Sequence, residues 1–204
     1  AGNIDFDGTV GATNRLGTLT IVSAANLTAD NTIRAASLTQ QAGTGTTTFL
    51  GNVDTNTAGV SVTSSGTVTI GTTVVVSAAG SVNFRSTASG IILQSTAAIS
   101  TTAAGDVTLE AEDQISLAAG TIITVLSGDL ALRSGLADTD STGSMLLDGT
   151  LQTSTAGRTI TLDLNSQQGA TQASTGAIFS SNLLSSALAQ SPRRSPSERV
   201  PLMT

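Results

Sequence analysis

Three carboxylates between residues 110 and 113 form the densest acidic group of the chain: Glu110, Glu112 and Asp113. Paired carboxylates can perform the acid–base chemistry of glycoside hydrolysis, and Glu110 and Glu112 are expected to share one face of a strand. The commonest place for such charges is nevertheless a solvated corner between strands. Because the chain has no Lys, His, Trp or Tyr, it lacks the usual tunable bases and sugar-stacking platforms. We therefore predict that the chain is not an enzyme, and keep a polysaccharide-active enzyme as a less favoured alternative.

A second acidic pattern, Asp138-x-Asp140-x-Thr142-Gly143, matches the first half of a calcium-binding loop. In such a loop, oxygen ligands at alternating positions surround the ion and Gly makes the sharp turn. The pattern also requires a bidentate Glu at its twelfth position, where this chain has Gly149. We therefore predict a solvated acidic turn at this place, and no metal or cofactor site in the chain.

Hydroxyl-bearing residues provide two further candidates. Ice-binding solenoids present flat ranks of Thr-x-Thr, but such pairs occur here at a spacing too irregular to align on one face, as at Thr18/Thr20, Thr46/Thr48, Thr67/Thr69 and Thr159/Thr161. Outward Thr is also simply a favourable strand residue, so ice binding is a less favoured function. Asn26-Leu27-Thr28 is the one N-glycosylation pattern, and the sequence does not decide whether this site or the many Ser and Thr residues carry sugar.

The elements that position these residues are short strands, because an apolar-x-apolar triplet recurs about every eight residues from Val60 to Leu132. Strict alternation over so short a span is strand periodicity. Its repetition at a nearly fixed interval, with small or turn-forming residues between the triplets, indicates a chain that winds. The triplets are Val60/Val62, Val68/Ile70, Val74/Val76, Val82/Phe84, Ile91/Leu93, Val107/Leu109, Ile115/Leu117, Ile123/Val125 and Leu130/Leu132.

Two architectures fit short strands at this spacing: an antiparallel sandwich or barrel, and a parallel β-solenoid. Tight hairpins favour Asn-Gly or Asp-Gly, which occur only at residues 7–8 and 148–149. We therefore predict an all-β, parallel β-solenoid over residues 1–190, with either three or two strands per coil. Helix signals are scarce, and the only candidate is the short segment Asn182–Gln190. Six residues in particular should point inward in stacked ladders: Val68, Ile70, Val107, Leu109, Ile115 and Leu117.

Composition limits the partners of this chain. Disorder is associated with low hydrophobicity and high charge, whereas the mean hydropathy here is +0.22 and charged residues make up 11%. The net charge is −6, and the five arginines before residue 190 are scattered singly, so nucleic acid is not an expected partner. The chain contains no apolar run of eighteen residues, so no membrane span is expected.

Repeats such as Ala104-Gly-Asp-Val-Thr-Leu-Glu-Ala111 and Ala79-Gly-Ser-Val-Asn-Phe84 resemble those of filamentous-haemagglutinin-type adhesins of bacteria. The resemblance extends from about Gly17 to Leu164. It implies a secreted, right-handed parallel β-helix with short coils that acts as a stalk or adhesive fibre outside the cell or at its surface. It also implies a surface glycan, or a host or biofilm matrix, as a further partner. The family has no active site to carry over.

The segment 191–204 differs in character, because it contains all three prolines and three of the eight arginines. We expect it to form an extended arm that contacts another copy of the chain or packs along its own solenoid. The expected function is a structural subunit of a secreted filament or surface stalk that assembles head to tail with copies of itself. The alternative is a passenger segment of a large adhesin. The arm residues expected to support assembly are Ser191, Pro192, Arg193, Arg194, Pro196, Arg199 and Pro201.

Overall fold

The computed structural model describes residues 1–136, 143–164, 170–172, 177–179 and 182–185, with side chains described up to Leu164. Its 22 strands form three faces of a parallel β-solenoid. Face A is an eight-stranded sheet: β1 (Ile4–Phe6), β3 (Leu27–Ala29), β5 (Thr47–Phe49), β8 (Val68–Ile70), β11 (Ile91–Leu93), β14 (Gln114–Leu117), β17 (Ser144–Leu147) and β20 (Ala170–Gln172).

Faces B and C together form a fourteen-stranded sheet, because one long strand, β4 (Ile33–Gln40), runs through both. Face B continues through β6 (Val53–Thr55), β9 (Val75–Ala78), β12 (Ala98–Thr101), β15 (Ile122–Val125), β18 (Thr150–Thr153) and β21 (Ala177–Phe179). Face C contains β2 (Leu16–Ile21), β7 (Val60–Ser64), β10 (Val82–Ser86), β13 (Val107–Ala111), β16 (Leu130–Ser134), β19 (Thr159–Leu164) and β22 (Asn182–Ser185).

Every coil from β5 onward contributes one strand to each face, so the solenoid has three strands per coil. Thr47 pairs with Val68, Val68 with Ile91, and Ile91 with Ile115, so these coils are 21 to 24 residues long. All described strand pairings are parallel, and no described residue forms a helix long and apolar enough to cross a membrane. The predicted all-β parallel solenoid is confirmed, while its right-handed sense stays a prediction.

The core is a narrow column of inward ladders. The two flanking apolar residues of every triplet are at most 2% exposed, which confirms the predicted inward positions. One ladder on face C runs through Phe84, Leu109 and Leu132, and Phe84 also stacks on Phe49 of face A, with ring centroids 6.3 Å apart. Each coil buries its apolar residues mainly against the coils on either side, so stability accumulates along the axis.

Small residues close the corners of the coils. Between faces B and C, a Cβ placed on Gly105 would lie 2.5 Å from the backbone carbon of Gly80, so this corner requires glycine. Between faces C and A, the inward hydroxyls of Ser64 and Ser86 donate to the backbone oxygens of Gly45 and Gly66 at 2.5 and 2.9 Å. These contacts satisfy carbonyl groups where the chain leaves one sheet and enters the next.

The predicted helix over Asn182–Gln190 is wrong in its first part, because residues 182–185 form β22. This strand pairs with β19 through Thr159 to Asn182 and Ile160 to Leu183. An isolated helix of nine residues is marginal in water, whereas a strand in this place continues face C and pairs its backbone with the previous coil. Residues 186–190 and the predicted arm, 191–204, lie outside the described residues.

Candidate functional site

The acidic group at 110–113 is divided between a strand and a corner. Glu110 lies on the outer side of β13, between Arg85 of one neighbouring coil and Arg133 of the next. Its carboxylate accepts a hydrogen bond from Arg133 Nη1 at 2.8 Å and lies 3.9 Å from Arg85 Nε. Asp163 is the next residue in the same register. Glu110 therefore belongs to a ladder of alternating charges that connects four successive coils.

The sequence predicted that Glu110 and Glu112 share one strand face. This prediction is wrong, because β13 ends at Ala111 and the chain turns there. The Glu112 side chain is 7% exposed, whereas Glu110 is half-buried. At this corner the backbone N–H groups of Glu112 and Asp113 donate to the backbone oxygens of Ser86 and Ser89, both at 3.0 Å. The three carboxylates therefore do not form one catalytic constellation on a strand.

A shallow polar groove of about 360 Å³ lies beside the charge ladder, lined by residues that include Asp106, Asp129 and Arg133. Asp106 Oδ1 accepts a hydrogen bond from the Asp129 backbone N–H at 2.8 Å. Asp129 Oδ1 in turn accepts one from the Thr159 N–H, also at 2.8 Å. Both carboxylates thus join one coil to the next, so their geometry indicates a structural role.

The other candidates from the sequence fall partly outside the described residues and partly on or next to faces A and C. Asp138, Asp140 and Thr142 of the calcium pattern lie outside the described residues, and only Gly143 is described. Of the four Thr-x-Thr pairs named above, those at 46/48 and 67/69 are adjacent on face A, while those at 18/20 and 159/161 belong to face C. Asn26 already uses its amide: Nδ2 donates to Asn3 at 3.0 Å, and Oδ1 accepts from the Thr46 N–H at 2.9 Å.

An acidic cluster that the sequence did not predict lies in the first two coils. Pairing of β1 with β3 brings together Asp5, Asp7 and Asp30, whose carboxylates each place one oxygen within 4.8 Å of the others. All three side chains are exposed. Partial desolvation, followed by the charges of Asp7 and Asp30, raises the pKa of the Asp5 carboxyl above its ordinary value. Three such oxygens suit a divalent cation, but an exposed acidic cluster does not by itself identify a ligand.

The first-coil end, defined here as the outer edge of β1, Val10 and β2, is the most distinctive surface of the described chain. Among the described strands, β1 pairs only with β3, and β2 pairs only with β4. The Ile4 N–H donates to Asn26 at 2.8 Å, and the Phe6 oxygen accepts from Asp30 at 3.2 Å, so both direct their backbone groups toward the second coil. Because direction alternates along a strand, Asp5 presents its backbone groups to the uncovered edge.

Apolar side chains accompany these backbone groups at the first-coil end. Four of them pack on the core yet are only partly buried, unlike their ladder neighbours in later coils: Ile4, Phe6, Val10 and Leu19. Leu16 and Val22 are 42% and 68% exposed. At this end, a β-edge that no described strand covers lies beside incompletely covered core residues, and this combination favours strand addition.

Arg15 fixes the first coil to the two coils that follow it. Its side chain is 20% exposed and reaches over the second coil, where Nη1 donates to the Ala35 oxygen at 3.2 Å. In the third coil, Nη1 and Nη2 donate to the backbone oxygen and the carboxylate of Asp54, both at 2.5 Å. Asp54 is also 3.7 Å from Arg34 Nε. This bidentate contact stabilises the first-coil end as a defined surface.

Comparisons of the chain with known protein families, curated proteins and solved structures gave no match. The stacked parallel coils are compatible with a β-helix repeat protein.

Proposed function

We propose that the chain is a structural subunit that assembles head to tail into an extracellular filament or surface stalk. The observation that carries this proposal is the first-coil end, where strand edges and the partly buried Ile4, Phe6, Val10 and Leu19 lie together. The resemblance of the repeats to those of secreted adhesins supports the extracellular location. In that setting, a surface glycan, or a host or biofilm matrix, would contact the polar outer faces.

Stacking a further coil on the first-coil end would be favourable for two reasons. Each backbone hydrogen bond formed there contributes about 1 kcal/mol net, and apolar burial adds about 25 cal/mol per Å². A contact between the two different ends of a rod is heterologous and does not close on itself. Repeated addition therefore produces a filament whose subunits all point the same way.

The segment 191–204 is proposed to strengthen the joint, which is the contact between the first-coil end of one copy and the opposite end of its neighbour. Pro192, Pro196 and Pro201 lack backbone donors, so the segment is not expected to act as a central strand. It can lie along a neighbouring copy as an extended strap, with Arg193 and Arg194 near acids of that copy. We expect deletion of 191–204 to shorten or abolish filaments while far-UV circular dichroism stays that of a β-solenoid. Unchanged polymer length after the deletion would refute the strap.

Two leucines of equal exposure provide a matched test of the assembly surface. Leu16 lies at the first-coil end and Leu126 on the side of the rod after β15, and both are 42% exposed. We expect Leu16→Arg to raise the protein concentration needed for polymerisation at least tenfold, because a buried charge at the joint is costly, and Leu126→Arg to leave it unchanged. Circular dichroism checks that both variants fold. Loss of polymer in Leu126→Arg alone would show that the copies associate side by side.

The alternative function is a passenger segment of a large adhesin. In that case a further coil of the same polypeptide, and not a second copy, would cover the first-coil end. The purified chain would then be monomeric at concentrations where a filament subunit polymerises. Sedimentation velocity over a concentration series separates these two functions.

A further inference from the structure

The two ends of the described solenoid belong to the same three faces. Face A begins with β1 and ends with β20, and face C begins with β2 and ends with β22. On face B, Val10 bridges to Ile33 at the start, and β21 is the last strand. A second copy placed in line can therefore meet the first with three strand segments opposite three strand segments.

The parallel register defines which residues would meet. At the far end of face A, Ala170, Thr171 and Gln172 are in register with Met145, Leu146 and Leu147. Met145 and Leu147 are buried, whereas Leu146, the partner of position 171, is 40% exposed. At the near end, Asp5 is exposed and belongs to the outward ladder of Thr28, between the inward Ile4 and Phe6.

From these registers we propose that β20, β21 and β22 of one copy pair in parallel with β1, Val10 and β2 of the next, with Thr171 directly beside Asp5. This inference rests on the proposed head-to-tail function and specifies which strands pair between neighbouring copies. The same alignment places position 178, in register with buried Leu151, beside Val10. Position 183, in register with buried Ile160, then meets Leu19.

A shift of one residue would disrupt this joint, because each side chain would move to the other face of its strand. Asp5 would then fall on an inward ladder, opposite position 170 or 172, and its carboxylate would enter the apolar column without a partner. In the proposed alignment, Asp5 meets a threonine and the acidic cluster remains on the outer surface. At the near end, Ile4, Val10 and Leu19 would then be in register with positions 170, 178 and 183, which are Ala, Ile and Leu, while Phe6 would be in register with Gln172.

Cysteine crosslinking tests the register directly, because the natural chain contains no Cys. Opposed residues on neighbouring strands are about 4.8 Å apart, within the Cα separation of a disulfide. We would mix equal amounts of Asp5→Cys and Thr171→Cys protein, oxidise mildly and measure dimers on non-reducing gels. A mixture of Asp5→Cys with Gln172→Cys is the control for a slip of one residue, and each single variant alone is the control for symmetric contacts.

We expect the Asp5/Thr171 mixture to form disulfide dimers at least tenfold faster than the Asp5/Gln172 mixture and than either single variant. Faster crosslinking of the Asp5/Gln172 mixture, or of Asp5→Cys alone, would overturn the proposed joint. Sedimentation of the unmodified chain separates the two levels of failure. Polymers with the wrong crosslink would refute the register alone, whereas monomers without any crosslink would refute the register and the head-to-tail function together.

Discussion

Truncation of Leu109 to alanine should remove core contacts from three coils at once. Leu109 is 0% exposed and lies between Phe84 and Leu132 in its ladder. The substitution deletes the equivalent of three buried methylene groups, or about 2.4 kcal/mol at about 0.8 kcal/mol each. The cavity left between rigid sheets adds to this loss, so we expect Leu109→Ala to lower the free energy of unfolding by about 3–4 kcal/mol.

The control is Thr108→Ala, one residue earlier on the outer side of β13, which should cost less than about 1 kcal/mol. Both are measured by urea unfolding followed by far-UV circular dichroism, since the chain has no Trp or Tyr for fluorescence. Hydrogen exchange should show the largest loss of protection in β10, β13 and β16, because neighbouring coils share the cavity. Equal costs for the two variants would contradict the inward ladder.

Three further substitutions and one control test corners and charge. Gly105→Ala should destabilise by about 1–3 kcal/mol, because its Cβ would meet backbone, whereas Gly17→Ala, with nothing within 4 Å, should be close to neutral in urea unfolding. Thr96→Gly should stabilise by about 0.5–1 kcal/mol in the same assay, because Thr96 has φ of 60° and a β-branched residue is strained there. Asp5→Asn should raise stability at pH 7 and lose that advantage on acidification. Because the pKa of Asp5 is raised in the folded state, the folded state binds more protons than the unfolded state. The contribution of Asp5 to stability therefore falls as the pH rises from 3.8, the ordinary pKa, through the raised pKa. Urea midpoints of both proteins at pH 7 and near pH 4 measure this difference, and an equal difference at the two pH values would contradict it.

The parallel solenoid could be predicted because its inward positions are filled by consecutive apolar-x-apolar triplets. The same pattern is weaker before Val60, where Gln40, Thr47 and Thr55 occupy buried positions. Gln40 accepts a hydrogen bond from the Thr47 hydroxyl at 2.9 Å, so these two polar residues are partners inside the column. A rule that counts apolar residues does not detect such a pair. The number of strands per coil depended on corner geometry, which the triplets do not specify.

The candidate surfaces were harder to predict, because their residues come from different coils. Asp5 and Asp30 are neighbours only because the first coil is 23 residues long, as the pairing of Ile4 with Leu27 shows. Arg15 and Asp54 are 39 residues apart and meet across an intervening coil. Small differences in coil length would separate both groups. The helix candidate failed for a related reason, since the helical spacing of the leucines at 184 and 188 says nothing about the strand edge available beside residues 182–185.

Electron micrographs of the purified chain test the central claim, head-to-tail assembly, most directly. We expect uniform, unbranched fibres one solenoid wide, with a repeat of about 4.8 Å along the axis from strands stacked across every joint. Isolated short rods, at concentrations well above those used for purification, would contradict the proposed assembly.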